Sequence, residues 1–391
     1  MEDIVILSGA RTAIGSFGKS LASVPPTELA TIVAKEAITR AGITPEKIGN
    51  VVFGNVINTE PKDMYLSRVA ARQAGIPDET PAMNVNRLCG SGAQAQVSAI
   101  QSLMLGDCDF ALAGGAESMS RAPYIMPSAR WGVKMGDANV QDMMLGTLNC
   151  PFGTGHMGVT AENVSREHNI TREEQDAFAL ESQQKAAHAI EKGYFKDQIV
   201  PVEIKQRRDT VQFATDEHPR ATTAEALAEL RPAFEKQGSV TAGNASGIND
   251  GAAALVFARA SAAKAAGATA RARVLGYGLA GVRPEVMGIG PIPAVRNLLA
   301  KTGLSISDFD VIESNEAFAS QALAVAKELG MDPSIINPNG GAIALGHPVG
   351  ATGAILTVKT LYELERTGGK LGLITMCIGG GQGIALAIER L

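Results

Sequence analysis

Cys89 sits in Val85-Asn-Arg-Leu-Cys89-Gly90-Ser91-Gly92, where an extended segment turns into a helical pattern running from Ser91 to Leu105. A thiol at a helix start feels the positive end of the peptide dipoles, which favours the thiolate. The flanking glycines would let a substrate carbonyl reach backbone N–H groups, the makings of an oxyanion site. Taken alone, the residue reads better as a small buried cysteine, the usual fate of a free thiol. His347 occupies Gly340-Gly-Ala-Ile-Ala-Leu-Gly346-His347-Pro348-Val349-Gly350, and Pro348 confines it to extended backbone. A structural histidine rarely needs so much small-residue surround. Cys377 closes the apolar run Leu371–Met376 and enters Gly379-Gly-Gly381-Gln382-Gly383. That is the strand end where α/β sheets place their sites, although a buried packing cysteine is an equal reading. Asn315, in Glu313-Ser-Asn315-Glu-Ala-Phe318, is by itself no more than a helix-cap candidate. The combination carries more weight. A thiolate with a nearby histidine suits acyl transfer, and a second thiol can move protons.

Short apolar runs alternating with helical patterns must position these residues, which argues for α/β architecture. Ile4–Leu7, Val51–Phe53 and Phe110–Ala113 read as strands, and Thr27 to Ala41 carries the apolar spacing of a helix face. The last third repeats the programme. Arg40 to Gly54 sets beside Lys301 to Asn315, with Gly42 on Gly303, Ile48 on Phe309 and Val51 on Ile312. Phe110–Ala113 then matches Leu371–Met376, so the sequence predicts one unit used twice. Between the repeats lies a stretch rich in Met, Gln and charge, where Thr171-Arg-Glu-Glu174 opens a helix with a capping box. It reads as an insertion, with Gly251–Ala258 the last strand of the first half.

Composition narrows the function class. The 391 residues carry Lys+Arg 35 against Asp+Glu 40, a net charge of −5, which argues against nucleic-acid binding. Only 4 Cys and 5 His are present, with no C-x-x-C pair, so neither a disulfide framework nor a metal site is expected. No run of apolar residues is long enough for a membrane span, and the N-terminus reads as a first strand rather than a signal peptide. A cytoplasmic location is expected. Gly276-Tyr-Gly278-Leu-Ala-Gly281 has the letters of a dinucleotide fingerprint, but Pro284, Pro291 and Pro293 replace the helix it should open. Lys205-Gln-Arg-Arg208 and His218-Pro-Arg220 are open to phosphate or are merely solvated faces. Gly155-His-Met-Gly158 and Asn244-Ala-Ser-Gly247 read as loops able to line a narrow channel.

Cys89-Gly-Ser-Gly, Asn315-Glu-Ala-Phe-Ala, Gly346-His-Pro-Val-Gly and Cys377-Ile-Gly-Gly-Gly-Gln-Gly, in that order, resemble the reactive blocks of a thiolase. The resemblance runs from the first strand to the last. Gly155-His-Met-Gly and Thr160-Ala-Glu-Asn point to the short-chain acetyl-CoA acetyltransferases. Thr59-Glu-Pro-Lys-Asp-Met-Tyr65 is similar to bacterial β-ketothiolases of broader short-chain range, some feeding polyhydroxyalkanoate synthesis.

The resemblance implies two duplicated βαβαβαββ halves in five αβαβα layers, a loop domain covering coenzyme A, and a homotetramer built as a dimer of dimers. The expected division is 1–120 with 241–268, then the loop domain 121–240, then 269–391. It implies Cys89 as the nucleophile that becomes the acyl-enzyme and His347 as its activator. Cys377 is implied as the group that takes the α-proton of the second acetyl-CoA. Asn315 would hold a water that, with His347, stabilises the enolate oxygen, and the N–H groups of Cys89 and Gly379 would form a second oxyanion hole. His156, Met157, Arg220 and Ser246 are implied as coenzyme A contacts. The family's further serine is missing near Ala226, so contacts around 222–227 depart from the pattern. No tightly bound cofactor is implied; acetyl-CoA and short acyl-CoA enter as substrates. The expected reaction is reversible condensation of two acetyl-CoA to acetoacetyl-CoA and CoA, together with slightly longer 3-ketoacyl-CoA. A decarboxylating β-ketoacyl synthase and a catalytically silent acyl-CoA-binding protein are the alternatives. The first uses His or Asn where this chain has Cys377, and the second requires reactive residues to be lost.

Overall fold

The computed structural model describes residues 2–205 and 209–391. Five apolar runs of the first half become strands β1 (Ile4–Arg11), β2 (Asn50–Gly54), β3 (Ala82–Val85), β4 (Phe110–Ser118) and β5 (Asn249–Arg259). They pair in the order β3-β2-β4-β5-β1, with β5 antiparallel to both neighbours and the rest parallel. The second half repeats the pattern in β6 (Ala272–Gly281), β7 (Val311–Ser314), β8 (Leu371–Ile378) and β9 (Gln382–Arg390). Here β9 is antiparallel to β6 and β8, β8 is parallel to β7, and a parallel Ile312–Ile336 bridge stands where β3 stands in the first half. Val51 and Ile312, matched by sequence, lie in equivalent registers opposite Leu112 and Leu373. The sheets join edge to edge through Val5–Arg273 and Ile6–Ala272.

Among the described residues, eight α-helices have eight or more residues: α1 (Pro26–Arg40), α2 (Leu66–Gln73), α3 (Ser91–Leu105), α4 (Met157–His168), α5 (Arg172–Glu191), α6 (Pro291–Thr302), α7 (Ala319–Leu329) and α8 (Thr352–Thr367). α1 packs on the first sheet, and α6 and α7 pack on the second through Ile292, Val295, Leu298 and Val325. α3 and α8 lie between the sheets and touch each other. Burial shows it most clearly in α8, where 12 of 16 residues are buried against 9 of 15 in α1. A charge there needs a partner, and Lys359 Nζ finds Glu313 Oε2 at 2.7 Å and the Gly340 carbonyl at 2.7 Å. The dinucleotide-like glycines fall inside β6, where a Cβ at Gly278 would overlap the Ala294 carbonyl of α6. They serve close packing of helix on strand.

The segment between β4 and β5 carries α4, α5 and a hairpin of Val202–Lys205 with Thr210–Phe213. The rest of the predicted basic run, residues 206–208, lies outside the described residues. The segment is fastened to the first half by Arg11, which is fully buried and bonds both Asp216 oxygens at 2.8 and 2.9 Å. Among the described residues, no helix is long and apolar enough to cross a membrane.

The two central helices meet at their N-terminal turns, glycine against glycine. A Cβ at Gly92 would lie 2.9 Å from Ala354 N, and one at Gly353 would overlap the Ala93 backbone. Gly353→Ala should therefore destabilise the protein by about 1–3 kcal/mol through overpacking. Gly146→Ala, where a Cβ meets nothing, should leave the melting temperature unchanged. Thermal denaturation of the pair checks this, and equal melting temperatures would contradict the packing argument.

Candidate active site

Cys89 follows β3 and precedes α3, at a corner held by tight local bonds. Ser91 Oγ donates to the Leu88 carbonyl at 2.6 Å and accepts from Arg87 N–H at 2.9 Å. Leu88 is thereby kept in left-handed backbone, φ 46°, a cost that leucine meets only where the surroundings impose it. His347 holds the equivalent corner of the second half, after the Ile336 bridge and before α8. Cys89 and His347 thus occupy the same position in the two repeats. Cys377 is the penultimate residue of β8, and Asn315 directly follows β7.

These corners open onto one cavity of about 690 Å³, lined by Cys89, His347, Cys377 and Gly379. His156, Met157, Arg220 and Ser246 line it too, so eight of the nine residues singled out from sequence share one wall system. The ninth, Asn315, is buried behind His347 with its Nδ2 3.5 Å from the histidine Nε2. It is not a helix cap, because Phe318 occupies the cap of α7. Leu88, Met119, Leu148, Phe234, Met287 and Phe318 supply the apolar lining. Phe234 stacks on the His156 ring at 4.7 Å. None of these was foreseen, since an apolar residue that lines a cavity has the same sequence signature as one that fills a core. Gly155–His156 is a short strand and Met157 begins α4, so the expected channel loop is instead a strand-to-helix corner. Where the serine is missing, Thr223 caps a short helix, Ala224–Ala228, that contains Ala226.

The electrostatics correct one expectation. The helix start was expected to favour the Cys89 thiolate, yet burial pushes its thiol up to about 11. Desolvation of the anion outweighs the N–H groups of Gly379 and Cys89 that face the sulfur. Burial likewise raises the Cys377 thiol, and the neighbouring Cys89 charge raises it further. Burial pushes His347 down to about 4, so its ring is neutral at physiological pH. The proton on that ring has a defined place. Thr352 Oγ1 donates to the Pro348 carbonyl at 2.9 Å, so its lone pair accepts Nδ1–H of His347 at 2.7 Å. Nε2 is left as the unprotonated ring nitrogen, with Asn315 Nδ2 3.5 Å away. Asn249 Oδ1, from the first half, accepts His347 N–H at 2.9 Å. Thr352 and Asn249 were not anticipated; their signal was only position, one at a helix start and one at a strand start.

At the mouth of the cavity stand Lys19, His218 and Arg220. Burial, with the charges of Arg220 and Lys19, pushes His218 down to about 4, and Glu217 lines the cavity beside it. The site therefore joins a largely apolar interior holding two thiols and a neutral imidazole to an entrance that carries Lys19, Arg220 and Glu217.

The comparisons with known proteins agree with this construction. The model for the thiolase N-terminal domain matches residues 4–261, and that for the thiolase C-terminal domain matches 268–390. The chain is 58% identical to beta-ketothiolase BktB of Cupriavidus necator over 392 residues, covering 100% of both chains. It is 50% identical to the acetyl-CoA acetyltransferase of Thiocystis violacea over 393 residues, again 100% of both. The crystal structure of the Bacillus anthracis acetyl-CoA acetyltransferase superposes with a TM-score of 0.98 at 47% identity, over 100% of this chain and 99% of that one. Duplicated α/β halves, paired corners and full-length matches lead to one conclusion: the chain belongs to the thiolase family and has the thiolase fold.

Proposed function

We propose that this chain is an acetyl-CoA C-acetyltransferase, an acyltransferase that reversibly condenses two acetyl-CoA to acetoacetyl-CoA and CoA and also handles slightly longer 3-ketoacyl-CoA. The observation that carries the reading is the convergence of Cys89, His347 and Cys377 on one largely apolar cavity. His347 Nε2 takes the Cys89 proton, and the sulfur attacks the thioester carbonyl. The tetrahedral oxyanion forms beside the N–H groups of Cys89 and Gly379. CoA leaves with the proton of Cys377, whose thiolate then takes an α-proton from the second acetyl-CoA. The enolate oxygen is held by protonated His347 and by a water on Asn315. Its carbon attacks the acetyl group on Cys89, and the departing Cys89 sulfur recovers its proton from His347. Protons balance over the cycle, and each charge forms next to a group already aimed at it.

His156, Met157, Arg220 and Ser246 contact coenzyme A in this reading, with Lys19 and Arg220 toward its phosphates. CoA thioesters are substrates and no tightly bound cofactor takes part. The division 1–120 with 241–268, 121–240 and 269–391 is supported by the pairing of β5 within the first sheet. A homotetramer is supported by the exposed Tyr124, Trp131, Val133 and Met135 of the segment between β4 and β5. The location is cytoplasmic, and the substrate range includes that of enzymes serving polyhydroxyalkanoate synthesis.

Three outcomes test the reading. Incubation with acetoacetyl-CoA should leave an acetyl mass increment on the Cys89 peptide, and Cys89→Ala should abolish turnover. Full turnover by that variant would sink the assignment. Because His347 is neutral above about pH 5 and the thiol is held high, Cys89 activation needs proton transfer rather than a standing ion pair. Iodoacetamide alkylation of Cys89 should accordingly keep rising from pH 6 to 9, whereas a plateau below pH 7 would indicate a preformed thiolate. Thr352→Val removes the acceptor for Nδ1–H and should lower kcat about 10- to 100-fold, with Thr352→Ser restoring it. Equal kcat for the Val and Ser variants would refute the tautomer role.

A further inference from the structure

Glu117 is the one charged residue in the otherwise apolar or small strand β4, and it is fully buried. Its Oε1 accepts Ile57 N–H at 3.1 Å and Asn55 Nδ2 at 3.1 Å. Its Oε2 accepts Val56 N–H at 3.0 Å and Gly350 N–H at 2.9 Å. These partners come from two separate loops. Gly350 ends the loop that carries His347. Val56 and Ile57 pack with Met119 and Val349 against the Cys89 side chain. A carboxylate buried without a cation is costly, and an apolar residue would fill the space more cheaply. All four partners are donors, so an acid proton would find no acceptor among them. Burial, only partly offset by the N–H groups of Ile57, Val56 and Gly350, leaves the carboxyl raised to about 8, so the four donors are what favour its ionised form. The Gly350 loop is also shaped to this group, since a Cβ at Gly350 would overlap Glu117 Oε2.

Resting on the pairing of Cys89 with His347 proposed above, we infer that Glu117 is a positioning residue. Its carboxylate ties the His347 loop to the loop that packs on Cys89 and so sets the distance between base and nucleophile. Asn249 holds the other end of the same loop at His347 N–H. The histidine, which belongs to the second half, is thus held by buried acceptors of the first. Neither acceptor lines the cavity, so loss of Glu117 should disturb the chemical step more than the binding of the coenzyme.

Glu117→Gln tests this, because an amide has one acceptor oxygen. Whichever way it turns, its NH₂ faces either Ile57 N–H or the N–H groups of Val56 and Gly350. In steady-state thiolysis of acetoacetyl-CoA, kcat should fall about 100-fold while KM for both substrates stays within about twofold. Gly350→Ala crowds the same carboxylate from the other side and should give the same split; it decides the matter if Glu117→Gln does not fold. A kcat within about twofold of the parent in a folded variant, or a rise in KM with kcat unchanged, overturns the inference. An increase in kcat also overturns it, because the carboxylate would then act only through its field on the Cys89 thiol. A parent enzyme that forms no acetyl-Cys89 would instead overturn the proposed function, so the two failures are distinguishable.

Discussion

The backbone of the loop before α8 is pressed into the first half with no side chain between. The Gly350 carbonyl oxygen sits where Cβ atoms at Gly54, Gly92 and Gly115 would stand, at 2.7 Å, 3.1 Å and in outright overlap. Three strand or helix positions from the first half have given up their side chains to seat one peptide of the second. Only because of that seat do α3 and α8 approach at their first turns, and their first turns are where Cys89 and His347 sit. A methyl group at any of these positions separates the two repeats, and with them Cys89 and His347. The packing density of the central layer and the geometry of the site are therefore one constraint.

That arrangement also sets the electrostatics. Two sheets and the covering segment remove water from around the thiols and the imidazole, and all three are driven toward their neutral forms. A resting thiolate–imidazolium pair is therefore disfavoured. The same dryness strengthens each N–H and imidazole contact when an oxyanion or enolate appears. Charge is admitted only where it is paired or heavily hydrogen-bonded, as at Lys359 with Glu313 and at Glu117.

Much of this was legible in the sequence because the duplication leaves two copies of each signal. Ser91 to Leu105 was read to the residue, and the match of Val51 with Ile312 fell on the structural register. The reactive corners were legible because glycine, cysteine and histidine at strand-to-helix junctions have few structural reasons to occur together. Other features were not. Helix-dipole reasoning for Cys89 considered one local field, whereas burial depends on strands and a segment far away in sequence. Asn249, Thr352 and Glu117 act through contacts between the halves or across a turn, and nothing in their immediate neighbours names the partner. Glu117 alone gave a hint, as a carboxylate in a run of strand residues otherwise fit for a core.

The two repeats have diverged around a shared corner, and the divergence follows what each half lacks. A helix start in a repeat offers a backbone N–H set and one side chain at its lip. The first half places a thiol there, beside the N–H of Gly379 contributed by the second half. The second half places an imidazole there, held at its backbone by Asn249 and at its loop end by Glu117, both from the first. The first half thus supplies Cys89 and the acceptors that hold the His347 loop, and the second supplies His347, Cys377 and the N–H of Gly379. Neither repeat alone contains both thiols that line the cavity. That division ties the assembly of the site to correct docking of the halves.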